Sequence, residues 1–84
     1  MSPVARATCS FVVPFEHGLH ARPAAQLAAA LRPFRSEVRF LYRGREANAR
    51  STISMMALGV RAGDSIEAHA IGDDAAAALT VLER

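Results

Sequence analysis

The sequence predicts an α+β domain in which helices cover one face of an antiparallel sheet. Segments that alternate apolar and polar residues, as half-buried strands do, are interspersed with segments that repeat apolar residues at helical spacing. Their order is strand, helix, strand, strand, helix, strand, helix. Each helix buries one stripe and each strand one face, so the simplest arrangement places all helices on the same side. We expect residues 1–84 to form a single domain, because so short a chain supports only one core.

The first strand is predicted over residues 6–13 and ends before Pro14. Its inward-facing residues are Ala7, Cys9, Phe11 and Val13. The first helix is predicted over residues 24–31, because Pro23 suits a first helical turn and Pro33 cannot continue the helix. Its apolar face consists of Ala24, Leu27, Ala28 and Leu31.

A hairpin is predicted next, in which a strand at residues 38–42 passes through the turn Arg43-Gly44 into a short strand around residues 46–49. Val38, Phe40 and Tyr42 face inward. A short apolar helix then follows in the segment TISMMAL, with Ser51 as its N-cap and Gly59 closing its carboxyl end.

The last strand is predicted over residues 65–70, with Ile66, Ala68 and Ala70 facing inward. Asp73 and Asp74 precede the last helix and are expected to cap it. The apolar face of that helix consists of Ala75, Ala78, Leu79 and Leu82.

Charge, cysteine content and hydropathy exclude several classes of protein. The net charge is +2, and the ten basic residues are arginines scattered along the chain without a basic stripe. Cys9 is the single cysteine, which excludes an intramolecular disulfide and fits a reducing compartment. The sequence shows neither a signal peptide nor a long apolar run, so we expect a soluble, cytoplasmic protein with no membrane partner.

The stretch HGLHARPA at residues 17–24 carries the candidate chemistry. Because the residue before a proline avoids helical geometry, Arg22 is expected at or before the helix cap and His20 in the approach loop. A helix start offers free N–H groups and a positive potential, which favour an anion. A neutral imidazole is a nucleophile, and arginine binds phosphate oxygens through paired hydrogen bonds. His20 and Arg22 therefore predict a phosphoryl acceptor site that needs no metal or cofactor.

The run GLHARPA resembles the active-site signature of HPr, the family of histidine phosphocarriers in the bacterial phosphoenolpyruvate:sugar phosphotransferase system. Two further blocks, at residues 36–51 and 57–79, are similar to the family's hairpin with its serine site and to its fourth strand and final helix. The resemblance implies an open-faced β-sandwich, a four-stranded antiparallel sheet under three helices in the order βαββαβα.

The resemblance also implies roles for individual residues. His20 is the residue that enzyme I phosphorylates on Nδ1 and that passes the phosphoryl group to a IIA domain in sugar uptake. Arg22 is the phosphate-stabilising arginine, and Ala21 belongs to the helix start that supports the phosphate through its backbone. The carrier is then a substrate of two enzymes rather than a catalyst in its own right.

Two further features follow from the same resemblance. Ser51 matches a serine that a dedicated HPr kinase phosphorylates in many members, although capping of the short helix explains its presence equally well. Leu19, Ile53 and Met56 match an apolar surface on which enzyme I and the IIA domain dock, while Met55 is assigned to the core.

Several alternatives stay open on the sequence alone. His17 is expected to be a solvated loop residue, and a direct role for it is the minority interpretation. His69 is expected on the exposed face of the last strand. A regulator of the nitrogen-related phosphotransferase branch is the alternative function, whereas a nucleic-acid-binding module is disfavoured by the absence of a paired aromatic motif. We expect a monomer, either a free carrier or an HPr domain excised from a fused multiphosphoryl transfer protein.

Overall fold

The computed structural model describes residues 5–83, which form one layer of sheet and one layer of helices. The elements are β1 (Arg6–Val12), α1 (Ala21–Ala30), β2 (Glu37–Tyr42), β3 (Arg45–Asn48), α2 (Thr52–Ala57), β4 (Ser65–Ile71) and α3 (Ala75–Leu82). This is the predicted order βαββαβα, and the fold class is confirmed. Residues 1–4 and Arg84 lie outside the described residues, so the extent of the domain over 1–84 stays a prediction.

The four strands form one antiparallel sheet in the order β1-β4-β2-β3. Side chains alternate across it as predicted, so that one face meets the helices and the other remains open. Phe40 lies at the centre of the covered face and is fully buried. The ring of Phe11 on β1 packs edge-on against the Phe40 ring, with 5.8 Å between centroids.

The turn between β2 and β3 has the backbone of a two-residue hairpin loop. Arg43 and Gly44 both adopt positive φ angles, of 49° and 76°, between the paired residues Tyr42 and Arg45. A turn with two left-handed residues matches the twist of the flanking strands. This conformation is uncommon for a non-glycine residue such as Arg43, whose guanidinium lies 5.2 Å from the centroid of the Tyr42 ring.

The helices bury the faces that their spacing predicts. The fully or largely buried helical side chains are Pro23, Ala24, Met55, Ala75, Ala78, Leu79 and Leu82. A six-residue helix such as α2 has no independent stability. Met55 anchors it in the core, and the Ser51 hydroxyl accepts a hydrogen bond from the Ser54 N–H at 3.2 Å, which confirms the predicted N-cap. Among residues 5–83, no helix has the length and apolar character needed to cross a membrane.

Two charged side chains bind the backbone of the loop between α1 and β2. The Arg50 guanidinium donates to the carbonyl oxygens of Leu31 and Ser36, both at 3.0 Å, and also to that of Phe34. The Asp74 carboxylate accepts from the backbone N–H of Arg35 at 2.8 Å and of Ser36 at 2.9 Å. Side chains thereby satisfy five of the backbone polar groups of this loop and of the helix end that precedes it.

The prediction that Asp73 and Asp74 cap the last helix through their side chains is wrong. Asp74 occupies the N-cap position of α3, but its carboxylate makes no capping hydrogen bond there. It turns instead toward Ser36, whose hydroxyl and N–H both donate to Oδ1. Three donors from a distant loop satisfy the carboxylate better than one N–H of its own helix. The hydrogen bond from the Ser36 hydroxyl, followed by that from the Arg35 N–H, lowers the pKa of Asp74.

We expect Asp74→Asn to lower the melting temperature at neutral pH by removing a charged acceptor from this loop. A carboxyl group whose pKa is lowered by folding stabilises the protein above its unfolded pKa, and this contribution disappears as the pH falls through the folded value. The difference between the native protein and the variant should therefore shrink below about pH 4. Thermal unfolding between pH 7 and pH 2.5 measures it. Asp73→Asn, at the neighbouring position, is the control, and equal losses for the two variants would contradict the assignment.

Candidate functional site

The loop that carries His20 is fixed by a close backbone approach. Gly18 has a φ of +74°, and a Cβ at this position would lie 2.3 Å from the Val60 carbonyl oxygen and 3.0 Å from Arg61 Cα. The next residue, Leu19, donates its N–H to the same Val60 oxygen at 3.0 Å. Only glycine combines this backbone conformation with so close an approach. Gly18 therefore lets the loop pack directly against the segment that follows α2.

The Leu19 side chain points into the core, with 4% of its surface exposed. The expectation that it belongs to an exposed docking surface is therefore wrong. The hydrogen bond to Val60 turns the backbone so that Leu19 packs inward and the following residue, His20, faces outward. A resemblance between aligned positions identifies an apolar residue without stating which way it faces.

His20 is the N-cap of α1, and the helix begins at Ala21. Arg22 is thus the second helical residue, so its predicted place at or before the cap is wrong. A proline is tolerated in the first turn because the N–H that it lacks would have no helical partner there, and the helix can begin before it. Ala24 N–H donates to the His20 carbonyl at 3.0 Å. The N–H groups of Ala21 and Arg22 then have no intrahelical acceptor.

One open surface cavity brings the predicted site residues together. It is lined by Phe15, Glu16, His17, His20, Ala21, Arg22, Pro23 and Gln26. Among residues 5–83, no carboxylate lies within ion-pair distance of the Arg22 guanidinium, which leaves its donors available. The helix start and this guanidinium make the cavity attractive to an anion beside the His20 ring. The same residues include no cluster of three metal-ligating side chains.

Four residues that line this cavity were not assigned to the site from the sequence: Phe15, Glu16, His17 and Gln26. His17 stands beside His20, with 5.9 Å between ring centroids and an interplanar angle of 70°. Gln26 follows Arg22 by four residues on α1, and this spacing on one helix face is the signal that could have identified it. Phe15 supplies an apolar wall that no motif indicates.

An exposed apolar pair lies on α2. Ile53 is 81% exposed and Met56 is 42% exposed, whereas Met55 between them is buried. We call Ile53 and Met56 the α2 patch. The chain leaves α2 through Leu58 and reaches Val60, which contacts the loop that carries His20. The α2 patch therefore belongs to the segment that borders the site.

His69 lies on the open face of the sheet, as predicted, and not in the site. Its neighbours across the strands are Thr8 on β1 and Arg39 on β2. Its Nε2 atom is 3.6 Å from Glu67 Oε1 and has no hydrogen-bond partner among the described residues. The helices contact the opposite face, so His69 is separated from the cavity by the thickness of the sheet and core.

A comparison with protein-family models matches residues 7–84 to the family described as "PTS HPr component phosphorylation site". This match covers most of the chain and includes the complete site. The chain belongs to the HPr family. It is accordingly related to the phosphocarriers of the phosphotransferase system, as the motif at residues 18–24 indicates.

Individual HPr relatives support the assignment. The chain is 41% identical over 58 residues to the phosphocarrier protein HPr of Buchnera aphidicola, covering 69% of this chain and 68% of that protein. It is 40% identical over 78 residues to a multiphosphoryl transfer protein of Salmonella typhimurium, covering 89% of this chain and 21% of that protein. The chain thus spans about a fifth of the length of that larger relative.

The HPr fold is also found among solved structures. The crystal structure of a phosphocarrier protein HPr from Bacillus anthracis superposes with a TM-score of 0.86 at 31% identity. The superposition covers 93% of each chain. The open-faced sandwich implied by the sequence motifs is therefore confirmed for this chain.

We expect Gly18→Ala to destabilise the protein and to displace His20, because the added Cβ meets the Val60 carbonyl oxygen. Gly59→Ala is the matched control: its φ is +71°, but nothing lies within 4 Å of the added Cβ. A left-handed residue other than glycine costs about 1 kcal/mol or more. In denaturant unfolding, Gly18→Ala should lower the free energy of unfolding by more than Gly59→Ala does. Equal losses would show that the approach to Val60 imposes no constraint.

Proposed function

We propose that the chain is a phosphocarrier domain that accepts a phosphoryl group on His20 from enzyme I and passes it to a IIA domain in sugar uptake in the cytoplasm. One observation carries the proposal: the His20 imidazole, the free N–H groups of a helix start and the Arg22 guanidinium share one open cavity. Membership of the HPr family supports the same chemistry.

The transfer is a displacement at phosphorus. An unprotonated nitrogen of His20 forms the bond to phosphorus while the bond between phosphorus and the donor breaks, and the donor keeps that electron pair. The proton on the other ring nitrogen stays in place, so the attack needs no separate base. Transfer onward repeats the displacement with a nucleophile of the acceptor. By the family resemblance, the nitrogen that carries phosphorus is Nδ1.

The protein's own groups stabilise the phosphoryl oxygens before and after transfer. The Arg22 guanidinium offers paired donors on α1, and the N–H groups of Ala21 and Arg22 point out of the helix start. The two N–H groups are fixed by the helix and require no reorganisation when charge arrives. The carrier thereby holds an anion in an open cavity where a partner still has access to phosphorus.

Docking of both partners is assigned to the surface around His20, including the α2 patch. Ile53 and Met56 supply exposed apolar area on the segment that borders the cavity. Flexible methionine and exposed aliphatic side chains suit contacts with more than one partner. Leu19 supports this surface from beneath through its core packing.

Ser51 is the candidate site for regulation by a kinase. Its hydroxyl caps α2 by accepting the Ser54 N–H. A phosphate at a helix N-terminus would keep acceptors for that N–H, and it would place negative charge on the helix that bears the α2 patch. Modification at Ser51 would in this way weaken partner docking without dismantling α2.

Incubation with phosphoenolpyruvate and enzyme I is expected to place an acid-labile, base-stable phosphoryl group on His20. His20→Ala should lose all of this label, since no other imidazole occupies the cap of α1. His69→Ala, on the open face of the sheet, should keep it. Mass spectrometry under alkaline conditions measures the modification. Label that survives in His20→Ala would overturn the proposed acceptor.

Ile53→Glu is expected to raise the KM of enzyme I for this chain by about tenfold while leaving kcat similar, because it places a charge in an apolar contact. Val12→Glu provides the control, since Val12 is 59% exposed on the open face. Steady-state phosphorylation rates measure both. An equal rise for the two variants would show that the α2 patch does not contribute specifically to docking.

A further inference from the structure

The turn of residues 61–64, between α2 and β4, is closed by the carboxylate of Asp64. The Asp64 N–H donates to the Arg61 carbonyl oxygen at 3.1 Å, and its Oδ2 accepts the Arg61 N–H at 3.2 Å. The same Oδ2 accepts the hydroxyl of Tyr42, at the end of β2, at 2.5 Å. Tyr42 is buried, so core packing directs its hydroxyl. The 61–64 turn is therefore tied to the end of β2 through the side chains of Tyr42 and Asp64.

The loop that leads to the acceptor histidine is anchored at both ends to this part of the chain. At its start, Val13 donates its N–H to the Asp64 carbonyl at 2.8 Å and accepts the Gly63 N–H at 2.9 Å. At its end, Leu19 donates to the carbonyl oxygen of Val60, the residue directly before the turn, at 3.0 Å. Because both anchors lie on one short segment, a shift of the turn moves both ends of the loop.

The charge of Asp64 strengthens the contact with Tyr42. The hydrogen bond from the Tyr42 hydroxyl, followed by that from the Arg61 N–H, lowers the pKa of Asp64. The carboxylate is therefore ionised at neutral pH, and hydrogen bonds to an ionised acceptor are stronger than those between neutral groups. Neither Tyr42 nor Asp64 lines the cavity of His20 and Arg22, so the pair reaches the acceptor through the backbone.

We propose that Tyr42 and Asp64 are positioning residues for phosphoryl transfer, which fix the 61–64 turn and, through the backbone contacts of the loop, the place of His20 at the start of α1. This inference rests on the proposed function, because it concerns the rate of transfer to His20. No bond to phosphorus involves either residue, so the balance of the transfer is unchanged. A reacting group displaced by about 1 Å loses up to about 100-fold in rate.

The test is single-turnover transfer from phosphorylated enzyme I, in excess over the full chain. The rate constant at saturation reports the transfer step, whereas the half-saturating concentration reports docking. Tyr42→Phe removes the hydroxyl and keeps the ring, and Asp64→Ala removes the acceptor. Asp64→Asn is the conservative variant, because its amide oxygen still accepts both hydrogen bonds. Val38→Ala truncates a buried side chain on the same strand and is the control for lost stability.

We expect Tyr42→Phe and Asp64→Ala each to lower the rate constant at saturation by about tenfold, with the half-saturating concentration unchanged. The double variant should be no slower than Asp64→Ala, since both substitutions remove the same hydrogen bond. Asp64→Asn should restore most of the rate. Val38→Ala should transfer at the native rate under conditions in which circular dichroism shows it to be folded.

Amide hydrogen exchange shows whether the loop itself is loosened. In Tyr42→Phe, the Leu19 N–H should exchange about tenfold faster than in the native chain, as expected for the loss of one hydrogen bond to a charged group. The Ala49 N–H, which donates to the Val38 carbonyl at 3.0 Å, should keep its native exchange rate. A loss of stability shared by the whole molecule would raise both exchange rates together.

A native rate constant in Tyr42→Phe would overturn the inference, and so would an equal fall in Val38→Ala. Equal acceleration of exchange at Leu19 and Ala49 would overturn it as well, because it indicates general destabilisation. These results would leave the proposed function intact, because the native chain still accepts the phosphoryl group. Failure of the native chain to accept a phosphoryl group on His20 would overturn the proposed function and this inference together.

Discussion

The position of the His20 side chain depends on one backbone contact, the approach of Gly18 and Leu19 to the Val60 carbonyl. Gly18 can lie there because it has no Cβ, and Leu19 is held there by its N–H and by its buried side chain. A loop fixed in this way loses its conformational entropy when the protein folds, and not when a ligand binds. The backbone of His20 is thereby held at the start of α1 and has little freedom left to lose in the proposed transfer.

The carboxyl end of α1 is also held by a specific contact. Leu31, the C-cap of α1, offers its carbonyl to Arg50, and a cation at this end also complements the negative end of the helix. Asp74 binds the adjacent loop through the N–H of Ser36. With its carboxyl end neutralised and its loop anchored, α1 keeps a fixed direction, and the open N–H groups at its start stay aimed at the cavity.

Sequence periodicity was sufficient for most of the fold because the covered face of the sheet is continuous and apolar. Phe40 and Ile66 are buried where the alternation requires it, and Met55 is buried on α2. These predictions of buried faces succeed because they rest on local spacing, which the backbone geometry of strands and helices fixes. The motif at residues 18–24 pointed to His20 and Arg22, and the two side chains line one cavity.

Where the sequence misled, a contact between distant residues decided the outcome. Asp74 leaves its own helix uncapped because Ser36 and Arg35, far away in the chain, supply more donors. Leu19 turns inward with its N–H bonded to the Val60 carbonyl oxygen.

The carrier role proposed above gives this geometry a consequence. One cavity holds one phosphoryl group, and a standard interface covers about 800 Å² on each partner, a sizeable share of the 5415 Å² surface of the molecule. In the proposed function, donor and acceptor therefore reach His20 over the same surface in turn, so each contact has to be weak enough to release the carrier. An open cavity bordered by a small apolar pair satisfies that requirement, whereas a deep pocket or a large apolar face would hold the first partner too long.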